Sequence, residues 1–170
     1  MKIIGALFLV CACTLFGVGQ ARKLYFRRNC LAGALDALRF MDAELKNGAV
    51  PIPDIFNELC RLPETKLHGF FENLSAKMES FGEESLSEIW SACVMNEQSV
   101  SLSLRQRQEL CRVGTYLGRY SESEQSDAIA ACAEHLEAEL KRTSDKASEG
   151  AKLWTGLGLT FGLMLAAVLI

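Results

Sequence analysis

Charged residues are absent from two long segments, one at each end of the chain. Ile3–Gly19 and Leu153–Ile170 contain no Asp, Glu, Lys or Arg. A helix over the first segment would be about 26 Å long at a rise of about 1.5 Å per residue, and this length nearly spans a hydrocarbon core of about 30 Å. We therefore predict two transmembrane spans, at residues 1–21 and 153–170.

Basic residues beside these segments predict the membrane topology. They are Arg22, Lys23, Arg27 and Arg28 after the first segment, and Lys141, Arg142, Lys146 and Lys152 before the second. Because such residues stay on the cytoplasmic side, residues 22–152 are predicted to form one cytoplasmic unit. The alternative is a secretory signal peptide, which Lys2, the apolar run, Gly17 and Gly19 would fit, although the basic residues that follow oppose translocation.

Between the two segments the apolar residues recur with helical spacing, and no stretch shows sustained alternation. The first helix carries Leu31, Leu35, Leu38, Met41 and Leu45 on one face. Gly48 is its predicted end, and Pro51 and Pro53 interrupt it before a short second helix. The predicted fold class is all-α: an antiparallel bundle of about six helices, the first and last long and continuing into the transmembrane spans.

Local signals predict the remaining helix boundaries. Pro63 predicts a break, Gly82 the end of the third helix and Gly118 the end of the fifth. Three capping boxes predict the starts of the fourth, fifth and sixth helices: Ser85–Glu88, Ser103–Gln106 and Ser121–Glu124.

Charge and cysteine content argue against two classes of protein, nucleic-acid-binding proteins and secreted disulfide-bonded proteins. The formal net charge of the 170 residues is −3, and no strongly basic face indicates nucleic-acid binding. Of the seven cysteines, Cys11 and Cys13 lie in the first apolar segment, and the other five are widely spaced with no Cys-x-x-Cys. This pattern is typical of reduced thiols in a cytoplasmic core.

Catalytic and metal-binding motifs are missing from the sequence. It has no Gly-x-Ser-x-Gly, phosphate loop or His-Glu-x-x-His. Cys132 and His135 share a helical face but lack the further ligands of a structural zinc site, and His68 lies beside Phe70 and Phe71. We therefore expect no enzyme activity, no metal and no cofactor.

Three features have both a structural and a functional interpretation. Asp42 and Glu44 form a solvated face with Arg39 and Lys46, or Glu44 pairs with a cation in the bundle or on a partner. The Gly48–Pro53 elbow reverses the chain or forms a rigid docking corner. The Gly-x-x-x-Gly pairs, Gly114 with Gly118 and Gly158 with Gly162, allow close helix packing, in the second pair as a contact face within the span.

Two motifs resemble the stage III sporulation protein AB family. The first, a leucine-rich helix with an acidic-aliphatic pair, a glycine and Pro-aliphatic-Pro, is carried here by Leu38, Asp42, Glu44, Leu45, Gly48, Pro51, Pro53 and Phe56. The second is carried by Gly114, Leu117, Gly118 and Gln125. Tyr120 stands where the family usually has an aspartate. The order of the motifs and the two apolar ends extend the resemblance over nearly the whole chain.

The resemblance implies a sporulation protein of the channel assembly that links mother cell and forespore. It implies a place in the mother-cell membrane, a helical region similar to modules of type II secretion platform proteins, and a secretion-type ATPase, stage III sporulation protein AA, as a partner with other membrane proteins. The candidate partner-docking or structural residues are Glu44, Gly48, Pro51, Pro53, Gly114, Gly118 and Gln125.

Two function hypotheses follow. The first is a non-enzymatic membrane scaffold that presents a cytoplasmic helical bundle to the ATPase and to membrane partners. The second is a small membrane-anchored sensor or regulatory adaptor that binds a ligand in the bundle. A pocket lined by polar groups would favour the second hypothesis.

Overall fold

The computed structural model describes residues 2–48, 50–61, 67–78, 85–97 and 100–169. These residues form six helices and no strand, so the all-α fold class is confirmed. The helices are α1 (Lys2–Gly48), α2 (Ile52–Arg61), α3 (His68–Met78), α4 (Leu86–Asn96), α5 (Leu104–Gly114) and α6 (Glu122–Leu169).

Most of the predicted helix boundaries agree with the structure. α1 ends at Gly48, and the carbonyl of Pro51 accepts the first backbone hydrogen bonds of α2, from the N–H groups of Asp54 and Ile55. All three capping boxes form, with each serine hydroxyl accepting from the backbone N–H three residues later and the Glu or Gln side chain bonding back to the serine N–H. The predicted break at Pro63 and the helix end at Gly82 lie outside the described residues.

The prediction that α5 ends at Gly118 is wrong by one turn. α5 ends at Gly114, and a series of turns continues to Tyr120. The N–H groups of Thr115 and Tyr116 donate to the carbonyls of Arg112 and Val113, three residues back. The N–H of Leu117 donates to the same Val113 carbonyl, four residues back, and Leu117 stays buried.

The chain divides into two compact units. Unit 1 comprises Met1–Arg28 and Lys141–Ile170, and unit 2 comprises Asn29–Leu140. Both α1 and α6 contribute to both units. The predicted domain boundaries at residues 21 and 153 concern membrane position and stay predictions.

Unit 2 is built around one hydrophobic core to which α1 to α6 all contribute. Fully buried side chains include Leu38, Met41, Phe56, Phe71, Ile89, Ile129 and Leu136. Trp90 lies within an aromatic cluster, stacked on Phe56 at a ring-centre distance of 5.6 Å and edge-on to Phe70 at 5.9 Å. Its indole N–H donates to the carbonyl of Leu110 at 2.7 Å, so the one polar group of this ring is satisfied inside the core.

Unit 1 is an antiparallel pair of helices, which we call the terminal helix pair (residues 2–28 of α1 and 141–169 of α6). A methyl group built on Gly17 would lie 2.5 Å from the Trp154 carbonyl oxygen, and one built on Gly158 would lie 2.8 Å from that of Cys13. A third, on Gly162, would lie 3.1 Å from the Cα atom of Val10. Glycine at these positions therefore permits the close approach of the two backbones.

Among the described residues, no helix combines the length and the mean hydropathy that a membrane crossing requires. The two predicted transmembrane spans are therefore not confirmed.

Candidate functional site

The second sequence motif folds into one compact feature, the α5–α6 corner, which we define as residues 114–125. Gly114 packs directly on the indole of Trp90, and a methyl group built on Gly114 would lie 2.3 Å from Trp90 Cδ1. Gly118 has a φ of 71°, a left-handed conformation that glycine adopts at low cost. Each glycine of the motif is thus required by a different local constraint.

Gln125 holds this corner together. Its side chain is 6% exposed. Its amide oxygen accepts from the N–H of Gly118 at 3.0 Å, and its amide nitrogen donates to the carbonyl of Tyr120 at 2.7 Å. The Gln125 side chain, at the start of α6, therefore bonds both a backbone N–H and a backbone carbonyl of the preceding turn. It can do so because its amide group offers a donor and an acceptor.

Tyr120 packs beside a second aromatic side chain of the corner, Tyr116. Its ring lies 5.2 Å from that of Tyr116, and the two side chains are 48% and 40% exposed. The corner therefore presents a pair of aromatic rings to solvent.

The first sequence motif lies at the end of α1 and meets the start of α6 through Asp42. The Ser126 hydroxyl donates to Asp42 Oδ1 at 2.5 Å, and Lys46 Nζ donates to Asp42 Oδ2 at 2.6 Å. Asp42 is thus a structural link to the residue that follows Gln125. The sequence offered a signal only for the Lys46 contact, through the four-residue spacing.

Glu44 is half-buried and, within the described part of the chain, forms no ion pair. The charged residues near Glu44 do form surface ion pairs, as a solvated face would: Lys46 pairs with Asp42, and Arg39 Nη2 lies 2.8 Å from Glu137 Oε2. Pro51 is exposed and Pro53 half-buried at the start of α2.

Arg107 makes a long-range contact to the C-terminal end of α4 that the sequence did not predict. Its guanidinium donates to several carbonyls around the end of α4, including those of Val94, Glu97 and Val100, the last two at 2.7 Å. Val94 lies in the last turn of α4, where helix carbonyls lack an intrahelical donor, and Val100 lies in the segment that follows. Arg107 on α5 therefore closes the C-terminal end of α4, a long-range role that carries no short sequence signature.

An open groove runs beside the corner, between α5 and α6. Its volume is about 300 Å³, and its walls include Glu109, Arg112, Tyr116, Asp127, Cys132 and His135. Arg112 and Glu109 form an ion pair at 3.5 Å. A second cavity, inside the core near Trp90 and Leu38, is only about 20 Å³, room for about one water molecule.

Four thiols of unit 2 have raised pKa values. Burial raises the pKa of Cys132 to about 12, with the nearby Glu109 carboxylate adding to the effect. Burial also raises the pKa values of Cys60, Cys93 and Cys111. Since the thiolate is the reactive form, these cysteines act as small core residues, as the sequence indicated.

Candidate metal ligands do not cluster in the described part of the chain, where no group of three His, Cys, Asp or Glu side chains converges. Cys132 instead donates to the carbonyl of Glu109 at 3.6 Å. His68 contacts Glu72 at 3.3 Å on the exposed face of α3.

Comparison with known proteins identifies the family. The family model described as stage III sporulation protein AB matches residues 2–170. The chain belongs to the stage III sporulation protein AB family. It is similar to stage III sporulation protein AB of Bacillus subtilis (strain 168), at 25% identity over 177 residues that cover 100% of this chain and 99% of the relative. No solved structure matches the chain.

Family membership confirms the resemblance drawn from the two motifs and supports a role in sporulation. The stage III sporulation protein AB family is not a known enzyme family. The functional roles of Glu44, Gly48, Pro51, Pro53, Gly114, Gly118 and Gln125 stay predictions, although the structure brings Gly114, Gly118 and Gln125 into one corner.

Proposed function

We propose that this member of the stage III sporulation protein AB family is a non-enzymatic membrane scaffold of the channel assembly between mother cell and forespore. The observation that carries the proposal is the contrast between the two units. Unit 1 exposes many large apolar side chains, whereas unit 2 buries most of its own in one core. In the proposal, unit 1 anchors the protein in the mother-cell membrane, and unit 2 presents a helical surface to partners in the cytoplasm.

The apolar surface of unit 1 supports the anchoring role. Side chains that are at least 40% exposed on the terminal helix pair include Phe8, Leu15, Phe16, Leu153, Trp154, Leu157, Leu159, Phe161, Met164 and Leu165. Exposed apolar area is unfavourable in water by about 25 cal/mol per Å². Continuous patches of this kind mark protein or membrane contact sites.

The partners proposed for unit 2 are the ATPase stage III sporulation protein AA and other membrane proteins of the same assembly. The aromatic pair of the α5–α6 corner is the proposed contact, because exposed tyrosines supply much of the binding energy in many interfaces. The Gln125 hydrogen bonds hold the turn that carries these rings, so little ordering cost is expected on binding.

Co-purification tests the partner proposal. The full-length protein, solubilised in detergent, is used to capture the AA ATPase and the other channel proteins. We expect the double variant Tyr116→Ala, Tyr120→Ala to lose the captured partner. The matched control is Met95→Ala, Leu104→Ala, which also truncates two exposed apolar side chains of unit 2 and should retain it. Failure of the unchanged protein to capture any of these partners would contradict the proposal.

Thiol labelling tests the topology. A single cysteine is placed at Ser101, a half-buried position between α4 and α5, in a chain whose native cysteines are replaced. An impermeant thiol reagent is then added to intact and to permeabilised cells. Labelling that requires permeabilisation supports a cytoplasmic unit 2, and labelling of intact cells contradicts it.

A ligand-binding adaptor is the second candidate, and the groove beside the corner favours it. This groove of about 300 Å³ carries polar groups such as Arg112 and Asp127 on a largely apolar lining, whereas the cavity in the core is too small for more than about one water molecule. The test is the melting temperature of the protein with a panel of nucleotides and small carboxylates. A rise that is lost in Arg112→Ala supports the adaptor, and no rise with any compound argues against it.

A further inference from the structure

Positive charge is concentrated in one band of unit 1. Residues 22–28 and 141–152 contain eight basic side chains and two acidic ones, Asp145 and Glu149, a formal net charge of +6 in a chain whose total is −3. We call this band the basic collar. Its basic members are Arg22, Lys23, Arg27, Arg28, Lys141, Arg142, Lys146 and Lys152.

Packing within the terminal helix pair joins the two halves of the collar. A methyl group built on Gly150 would lie 2.8 Å from Leu24 Cδ1, so α1 and α6 are in contact at this level. Ala21, Ala147 and Ala151 are buried in the same region. The basic residues of one helix therefore flank those of the other, although more than 100 positions separate them along the chain.

Most of the collar is available to a ligand. Arg22, Lys23, Arg27, Lys141, Lys146 and Lys152 are exposed. Within the described part of the chain, none of these six forms an ion pair. The band therefore keeps its net positive charge at exposed positions, where an anionic ligand would meet it directly.

The surroundings of the collar indicate which anion it binds. Tyr25 and Phe26 are 46% and 53% exposed within the band, and Trp154 is 42% exposed two residues beyond Lys152. Exposed leucines follow directly on α6, at Leu153 and Leu157. Basic and aromatic residues beside an apolar surface match the headgroup level of a bilayer, whereas a nucleic acid would offer no contact for the leucines.

We propose that the basic collar binds the anionic headgroups of phospholipids at the membrane surface. The inference rests on the membrane attachment proposed above and adds a lipid preference to it. Each Lys or Arg near an anionic surface favours binding by roughly five-fold. This attraction decays within a Debye length of about 8 Å at physiological salt, so the preference should weaken as salt is added.

Quenching of Trp154 fluorescence tests the proposal with the full-length protein. The protein is reconstituted in mixtures of phosphatidylcholine and phosphatidylglycerol in which either lipid, at equal mole fraction, carries brominated acyl chains. The variant Trp154→Phe identifies the part of the signal that comes from Trp154, since the other tryptophan, Trp90, is buried in unit 2. We expect brominated phosphatidylglycerol to quench Trp154 at least twice as strongly as brominated phosphatidylcholine, with the ratio falling as salt is raised.

Two charge variants make the test specific to the collar. Lys23→Gln, Lys146→Gln, Lys152→Gln should bring the quenching ratio close to one. The matched control, Arg61→Gln, Arg105→Gln, Arg119→Gln, removes the same charge from exposed positions of unit 2 and should leave the ratio unchanged.

The possible outcomes separate this inference from the proposed function. Equal quenching by both lipids would overturn the inference while leaving membrane attachment in place. Absence of quenching by either lipid would overturn both. Equal quenching together with a gel shift of RNA that the collar variant abolishes would assign the basic collar to RNA instead.

Discussion

Gln125 shows how much a single side chain contributes to the α5–α6 corner. Gln125→Ala would remove the hydrogen bonds to the N–H of Gly118 and the carbonyl of Tyr120, and each such bond contributes about 0.5–1.5 kcal/mol. We expect the midpoint of urea unfolding of the full-length protein to fall accordingly. Gln108→Ala, at an exposed position of α5, is the control, and an equal effect of the two variants would contradict this role.

Gly114 gives a second prediction at the residue scale. A methyl group at this position would lie 2.3 Å from Trp90 Cδ1, inside a filled aromatic cluster. Gly114→Ala should therefore lower the free energy of unfolding by about 1–3 kcal/mol, the usual cost of overpacking.

The control for Gly114 is Gly69→Ala on α3, where nothing lies within 4 Å of the added methyl group. This variant should be neutral or slightly stabilising, because alanine favours a helix more than glycine does. Thermal melting followed by circular dichroism compares the two. A neutral Gly114→Ala would mean that Trp90 moves freely, against the packing described above.

At the scale of the element, we expect the stability of the start of α6 to depend on pH. The Ser121 hydroxyl and backbone N–H donate to the Glu124 carboxylate at 2.6 and 3.0 Å, and these bonds lower the pKa of Glu124 in the folded state. A lowered folded-state pKa means that the contribution to stability is present above the ordinary pKa of glutamate and is lost as the pH falls through the folded value.

Glu124→Gln should accordingly flatten the loss of stability on acidification, because glutamine can accept the same bonds without titrating. The measurement is the melting temperature at neutral pH and at a pH below the ordinary pKa of glutamate. Glu134→Gln, an exposed α6 position, should keep the dependence of the unchanged protein. The same dependence in both variants would argue against the Ser121–Glu124 cap as its source.

At the scale of the whole molecule, the two ends of the chain meet in the terminal helix pair. A Cβ atom at position 162 would lie 3.4 Å from the Cβ of Cys13, close to the separation in a disulfide. We expect Gly162→Cys to form an internal disulfide with Cys13 under mild oxidation, in a chain in which Cys11 is replaced by serine.

Mobility on a non-reducing gel and intact mass report this disulfide. Gly156→Cys is the control, because nothing lies within 4 Å of an added Cβ at that position. Equal cross-linking of the two variants, or of neither, would contradict the described pairing of α1 with α6.

Local signals in the sequence determined the helices. Three capping boxes, the two prolines after Gly48 and the spacing of apolar residues predicted the all-α class and the starts of the helices, because each acts between residues no more than four apart. The end of α5 was missed because Gly118 looks like a helix stop, whereas the turn after Gly114 is stabilised by Gln125, which comes later in the chain.

The tertiary structure alone decided which of these residues meet. Asp42 bonds to Ser126, Arg107 closes the end of α4, and Gly17 packs on Trp154. These contacts join residues with no fixed sequence spacing, so periodicity and capping rules cannot predict them. The residues that match the family motif were therefore readable from the sequence by itself, whereas their structural roles followed only from the packing that places each beside its distant partner.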